Sequence, residues 1–389
     1  MHPITRFSFP TTIIYGPGAL GELPGALQEL SVRKPLVVTD AGFAGTGTYQ
    51  MFIEVLDNAA IPYAQYAGVQ PNPQDKDVKE AAYAYKESTC DCIIGIGGGS
   101  PMDTAKAVAV LSAMGGSIGD YDIQEGGGSR ITSELPPVIA IPTTAGTGSE
   151  VGKCAVITSS SQGRKFMVCH PGMLPKRSIL DPQLTVSLPA HLTAATGMDA
   201  LTHNIESLTS PEFHPMCDGI AVKGIELAVQ NLERAVQDPG DIDARGFMML
   251  ASMMGAVAFQ KDLGACHSLS HALSAVCALQ HGLANAVCLV PVMQFNLDAA
   301  SRQYQIVAAC FGVRTQDMSE KEAAMAAIER IKELNRSIGI PASLKELGVR
   351  KDQFDEIVEK AYRDPCHATN PKPCTKEDLK LILQNAWEG

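Results

Sequence analysis

The 389-residue chain is poor in positive charge and lacks long apolar runs, paired cysteine motifs and low-complexity segments. Thirty-one Lys and Arg face 42 Asp and Glu, a formal net charge of −11. Nucleic acid and anionic membranes both demand basic surface, so neither is expected as a partner. No run approaches the roughly 18 apolar residues of a bilayer-spanning helix. The N-terminal "MHPITRFSFPTTIIYG" lacks the apolar core that marks a secretory signal. The 11 cysteines are odd in number and form no CxxC pair, and Cys266, Cys277, Cys288 and Cys310 lie inside apolar runs. That arrangement predicts buried thiols in a reducing cytoplasm rather than disulfides or a zinc knuckle.

What is present is the composition of a globular protein, 45% hydrophobic and 19% charged, long enough for two domains with proper cores. The first half alternates short apolar runs with helical stretches. "PLVVTD" (35–40), "CDCIIGIGGGS" (90–100) and "PPVIAIPTT" (136–144) read as buried strands. "GALGELPGALQEL" and "DVKEAAYAYKES" between them carry helical periodicity. Strand alternating with helix predicts a parallel sheet covered on both faces, with ligands at the carboxyl ends of its strands. After about residue 186, Ala-, Leu- and Met-rich stretches such as "ARGFMMLASMMGAVAFQ" predict an all-helical half. "DPQLTVSLP" (181–189) marks the boundary. The expected organisation is an α/β dinucleotide-binding domain over 1–185 and a helical metal-binding domain over 186–389.

The dinucleotide expectation rests on three stretches. In "GIGGGSPMDTAK" (95–106) a strand runs into a glycine cluster and then a helix start. Gly97, Gly98 and Gly99 let backbone N–H groups approach a phosphate at the helix N-terminus. Ser100 can cap the helix, Pro101 suits its first turn, and Asp103 adds negative charge there. Gly95-x-Gly97-x-x-Ser100 departs from GxGxxG at its last position. "PTTAGTGSE" (142–150) follows another strand and offers Thr143, Thr144, Thr147 and Ser149 to a diphosphate or ribose. Asp40 ends an early strand, where a carboxylate accepts both ribose hydroxyls and repels a 2′-phosphate, favouring NAD over NADP.

The metal expectation starts from "GMDALTHNIES" (197–207), which puts Asp199 and His203 four apart on one helix face. A carboxylate and an imidazole so placed make half of a divalent-metal site. "CHSLSHALSAVCALQHGLANAV" (266–287) adds His267 and His271, again four apart, and His281 ten residues further on. On one unbroken helix His281 would lie about 15 Å beyond His271, whereas metal bonds are near 2 Å. Either His281 is not a ligand, or the helix breaks and the chain turns back; the Gly of "QHGLAN" makes a break nearby reasonable. Spacing leaves two sets open: Asp199, His203, His267 and His271, or Asp199, His203, His267 and His281 with His271 beside the metal.

"GGGSPMDTAK", "PTTAGTGSEV", "LPAHLTAATGMDALTHNIES" and "HSLSHALSAVCALQHGLANAV" together resemble the iron-containing (group III) alcohol dehydrogenases, from about residue 8 to the C-terminal "QNAWEG". The resemblance implies Asp199, His203, His267 and His281 as metal ligands, with His271 left near nicotinamide and substrate as a proton carrier. It implies a nucleotide on Asp40, Asn72, Gly97 to Ser100, Thr143, Thr144 and Lys165, and an active site in a cleft between the two domains. "EGGGSRIT" (125–132), "AFQKDLGACHSLSHALS" and "DPCHATNPK" (364–372) look most like the 4-hydroxybutyrate dehydrogenases. Gly152, Asp262 and Ser274 depart from the usual Thr, Gly and Gly.

The expected activity is NAD-linked, metal-dependent interconversion of a short primary alcohol or ω-hydroxy acid with its aldehyde, by a cytoplasmic homo-oligomer. The nitrogen and oxygen ligands suit Fe²⁺ or Zn²⁺, and the ion acts as a Lewis acid on the alcohol. Lys261, His367 and Lys372 are candidates for pairing with a substrate carboxylate. One rival is a metal- and NAD-dependent lyase resembling dehydroquinate synthase; another is a structural, filament-forming role. The first needs a Lys and Arg cluster for phosphate, and the metal-site stretches carry only Lys261.

Overall fold

The computed structural model describes residues 9, 11–161 and 163–389. Most of the N-terminal segment read above for a signal lies outside them. The chain forms two compact units, one holding Phe9–Thr144 and Gly148–Leu188, the other Ala145–Thr147 and Pro189–Gly389.

The first unit contains strands β1 (Thr12–Tyr15), β2 (Pro35–Val38), β3 (Ala64–Tyr66), β4 (Cys92–Gly97), β5 (Val138–Pro142), β6 (Cys154–Thr158), β7 (Lys165–Cys169) and β8 (Arg177–Leu180). Its helices are α1 (Leu23–Glu29), α2 (Ala41–Ala44), α3 (Gly47–Asn58), α4 (Asp75–Glu87) and α5 (Gly99–Met114). Six strands pair in the order β1-β8-β5-β4-β2-β3, every pair parallel. Alternate side chains serve opposite faces, as strand geometry requires. Leu36, Val38 and Ile93 pack with Ala105 and Val108 of α5, and Val37, Ile94 and Ile96 with Phe52 and Leu56 of α3. Burial on both faces explains the uninterrupted apolar runs of β2, β4 and β5. The chain leaves β2 towards β3 on one side and leaves β4 towards β5 on the other. The order therefore reverses between β2 and β4, the crevice where such sheets take ligands.

β6 and β7 form a separate antiparallel hairpin whose register sets Cys154 opposite Cys169. The two are disulfide-bonded, with Cα atoms 4.1 Å apart. This corrects the expectation that all cysteines are free thiols. Neither residue sits in a pairing motif, and only the hairpin register brings them together. Cys90, Cys92, Cys217, Cys266 and Cys288 are buried thiols as expected.

The second unit is helical: α6 (Ala190–Thr209), α7 (Pro215–Gln237), α8 (Ile242–Ala258), α9 (Ala265–Cys277), α10 (His281–Phe295), α11 (Leu297–Cys310), α12 (Glu320–Ser337), α13 (Phe354–Arg363) and α14 (Lys376–Glu388). α6 is central and buried along nearly all its length, polar residues included. With its extension to Lys261, α8 is long and apolar enough to cross a membrane, which was not expected of any run. Instead Ala244, Met248, Ala251 and Ala258 pack into the helical core with Leu201, Ile205 and Leu232.

Candidate active site

In the α/β unit Asp40, Gly97 to Ser100, Thr143 and Thr144 lie at the carboxyl ends of β2, β4 and β5. Asp40 follows β2 and caps α2, accepting from the Phe43 N–H at 2.9 Å. Beside it Gly97 ends β4 at φ +142°, where a side chain is strained. A Cβ there would stand 2.7 Å from Pro101 Cγ and 3.6 Å from Asp40 Oδ2. Gly98 then caps the sixteen-residue α5 without a side-chain acceptor of its own, leaving the first N–H groups of that helix to bind an anion. Thr143 donates its N–H to the Gly97 carbonyl at 2.9 Å, and a Cβ on Gly98 would stand 3.6 Å from Thr144. Asn72 is exposed on a loop held from both sides: Ser100 Oγ donates to Pro71 O at 2.7 Å, and Thr158 N to Pro73 O at 2.7 Å. Lys165 begins β7, paired across the hairpin with Thr158. Burial pushes its ammonium below the usual lysine range, against the pull of Asp103.

Asp103 and Ser149 are engaged differently from what the sequence suggested. Asp103 accepts from Ser149 Oγ at 2.6 Å and from the Val156 N–H at 3.0 Å. The buried Lys106 Nζ bonds Asp103, Ser149 Oγ and the carbonyls of Ser149 and Cys154. These groups fasten the 148–156 segment to α5 from beneath. Thr147 sits among the residues that pack with the helical unit, where a Cβ on neighbouring Gly146 would meet the Thr196 carbonyl at 3.0 Å.

In the helical unit, Asp199 and His203 share one face of α6 as their spacing requires. α9 ends at Cys277, Ala278 takes φ +55°, and α10 begins at His281 under a Gln280 cap. The break therefore precedes His281. The glycine that suggested it, Gly282, lies inside α10 and serves close packing: a Cβ there would fall 2.2 Å from the Ala195 carbonyl of α6. The turn brings the His281 ring back to within 5.4 Å of the His267 ring, centroid to centroid.

Three imidazole Nε2 atoms consequently face one carboxylate oxygen. His203, His267 and His281 stand 3.9, 3.7 and 3.4 Å from Asp199 Oδ1. Bonds of about 2.1 Å in tetrahedral directions separate donor atoms by about 3.4 Å; the ligand atoms of Asp199, His203 and His267 lie within 4.8 Å of one another and could hold a metal, and His281 reaches that group through Asp199. Two of the rings are also held from behind. His267 Nδ1 meets Glu206 Oε2 at 2.5 Å. Ser270 Oγ donates to the His281 carbonyl and so accepts from His281 Nδ1 at 2.9 Å. His203 Nδ1 points towards Gly146 without closing a full hydrogen bond. Asn285 Nδ2 lies 2.7 Å from Asp199 Oδ1 and 3.2 Å from Nε2 of both His267 and His281. That amide has only two N–H groups for these three neighbours, so it cannot donate to Asp199 and to both rings at once. Burial would raise the Asp199 carboxyl, yet the surrounding imidazoles hold it well below its ordinary range. Burial lowers His203 to about 4, while hydrogen bonds to Asp199 and Glu206 outweigh burial and raise His267 to about 9.

His271 stands apart from this set. Its Nδ1 bonds Asp364 Oδ2 at 2.8 Å, and its ring stacks on His281 with centroids 5.1 Å apart. Asp364 Oδ1 accepts from Ser268 Oγ and the Cys366 N–H, both at 2.9 Å. Although burial opposes it, the bond to His271 keeps Asp364 well below the usual carboxylate range. Glu206, Asn285, Ser270 and Asp364 were all missed in the sequence. Glu206 had a signal, seven residues from Asp199 and three from His203 on the same helix face. Asp364 had none, 93 residues from its partner.

The candidate substrate cations each have a partner within the chain. Lys261 is buried, with Nζ 2.5 Å from Asp218 Oδ1. His367 Nε2 bonds the Tyr362 carbonyl at 2.9 Å, and the two rings stack. Lys372 lies over the Phe295 ring at 3.9 Å.

Residues 10–182 match the family "Iron-containing alcohol dehydrogenase", and residues 193–387 match "Fe-containing alcohol dehydrogenase family, C-terminal". The chain belongs to the iron-containing alcohol dehydrogenase family. It is 39% identical to a 4-hydroxybutyrate dehydrogenase of Cupriavidus necator over 95% of this chain and 96% of that one. It is 37% identical to an NAD-dependent methanol dehydrogenase of Bacillus methanolicus over 98% and 100%. The crystal structure of a 1,3-propanediol oxidoreductase superposes with a TM-score of 0.95 at 35% identity, covering 99% of this chain and 100% of that one. As a family member the chain is an NAD-dependent oxidoreductase, and iron is the metal for which its family is named.

Proposed function

We propose that the protein interconverts short primary alcohols or ω-hydroxy acids, such as 4-hydroxybutyrate, with their aldehydes, using NAD and a metal held by Asp199, His203, His267 and His281. The observation that carries this reading is the convergence of three imidazole Nε2 atoms on Asp199 Oδ1. When bound, the metal supplies Lewis acidity towards an alcohol oxygen and NAD supplies the hydride acceptor. The N₃O donor set suits Fe²⁺ and would also accept Zn²⁺.

The remaining work falls to this chain's own residues. Asp40 accepts the adenosine ribose hydroxyls, and the N-terminus of α5 beyond Gly98 takes the diphosphate. Thr143, Thr144, Asn72 and Lys165 hold the rest of the nucleotide. His271, held by Asp364 through Nδ1, directs Nε2 to the alcohol proton and passes it towards solvent. The ω-hydroxy acid reading is supported by the similarity to a 4-hydroxybutyrate dehydrogenase. Lys261 would have to share its ammonium with Asp218 to serve it. A cytoplasmic, homo-oligomeric state belongs to the same proposal.

The test is an NAD-coupled assay across C2 to C5 alcohols, diols and ω-hydroxy acids, after reconstitution with Fe²⁺ or Zn²⁺. NADH formation that depends on added metal is expected. Turnover that survives complete metal removal would overturn the proposal.

A further inference from the structure

We propose that Glu206 is a positioning residue for the metal centre, fixing the tautomer and aim of His267 so that its Nε2 lone pair faces Asp199. Glu206 lies two turns from Asp199 on the same face of α6, and both are buried. Its two oxygens divide their work. Oε1 accepts the Cys266 N–H at 2.7 Å, and Oε2 meets His267 Nδ1 at 2.5 Å and the His267 N–H at 3.4 Å. A carboxylate only accepts, so the proton of a neutral His267 is confined to Nδ1 and the lone pair to Nε2. The backbone bonds at the start of α9 stop Glu206 from turning away. Gly264 leaves room for it: a Cβ there would stand 2.6 Å from Glu206 Oε1. Behind a metal, a carboxylate so placed raises the basicity of the imidazole and locks its orientation.

This inference rests on the ligand assignment above, and the experiment separates the two. Zn²⁺ affinity is measured by chelator competition on the full chain for wild type, Glu206→Gln and Asn370→Ala. Asn370 Oδ1 also holds the start of α9, accepting the Ala265 N–H at 3.2 Å, but it touches no ligand ring. In Glu206→Gln, an amide oxygen at the Oε1 position still accepts from Cys266. The amide nitrogen then faces His267 Nδ1 and drives the ring proton to Nε2. Glu206→Gln is expected to lose Zn²⁺ affinity about 10- to 100-fold, and Asn370→Ala to keep it within about threefold. If the Gln variant does not fold, Glu206→Asp decides: it keeps the charge, withdraws the carboxylate by one methylene and is expected to lose affinity to a smaller degree. Wild-type affinity in the glutamate variants, or equal losses in Asn370→Ala, would overturn the role of Glu206. Absence of stoichiometric Zn²⁺ binding by wild type would overturn the ligand assignment and this inference with it.

Discussion

Asparagine at position 364 is nearly isosteric with aspartate, yet it should reverse the proton on His271. Two donors, Ser268 Oγ and the Cys366 N–H, both aim at Oδ1 from 2.9 Å. Ser268 is itself fixed, because it accepts the His367 N–H at 2.9 Å and must spend its own proton on residue 364. In Asp364→Asn the amide oxygen takes the Oδ1 position, since the amide nitrogen there would face two donors. The nitrogen therefore occupies the Oδ2 position, 2.8 Å from His271 Nδ1. The ring answers by accepting at Nδ1 and carrying its proton on Nε2, where it can no longer take a proton from an alcohol. A charge-assisted hydrogen bond of about 1.5–3 kcal/mol is lost, which predicts a fall in kcat/KM of about 10- to 150-fold. Metal content should stay at the wild-type level, because Asp364 touches none of Asp199, His203, His267 or His281. The assay is steady-state kinetics with the best alcohol of the survey, run beside metal analysis. Asp364→Asn is then repeated in a His271→Ala background, where it should do little more. Turnover within twofold of wild type, or losses that multiply in the double variant, would refute the argument.

Removal of His267 or His281 as alanine should lower bound metal, whereas His271→Ala should keep metal and lose turnover; metal analysis of the three purified variants decides between the sets. Loss of metal from the His271 variant with retention in the His281 variant would reverse the assignment. Asp40→Gly should raise activity with NADP relative to NAD by removing a charge that repels the 2′-phosphate, and a wild type that already prefers NADP contradicts that reading of Asp40. Glu150 is buried and its carboxyl is pushed up to about 7 by burial, with Lys106 pulling the other way. The folded state therefore binds this proton more tightly than the unfolded chain. Its contribution to stability is present in full below about pH 4.5 and is lost as pH rises to about 7, an effect of about 3 kcal/mol. Glu150→Gln should flatten the decline in denaturant stability between pH 5 and pH 8, and an unchanged slope would count against it.

Local chemistry settled much of this protein in advance. The apolar runs of β2, β4 and β5 and the glycines at 97–99 define a parallel sheet with an uncapped helix start at its carboxyl edge, because both depend on backbone demands a few residues long. The spacing of Asp199 and His203 fixes a shared helix face for the same reason, since 3.6 residues make a turn. Glu206 was legible on that face too, had the periodicity been followed one turn further. Strands β1 and β8 carry only two consecutive aliphatic residues each, too few for a pattern to declare itself. Only the tertiary structure brought His281 back beside Asp199, through a left-handed turn at Ala278 with no glycine to mark it. Only packing over 93 residues gave His271 its carboxylate, and only the register of the hairpin joined Cys154 to Cys169. The same packing set Lys261 against Asp218. Sequence spacing specifies which residues share an element. Which elements meet is decided by burying the apolar faces of the whole chain at once, and the partner of a charged group follows from that.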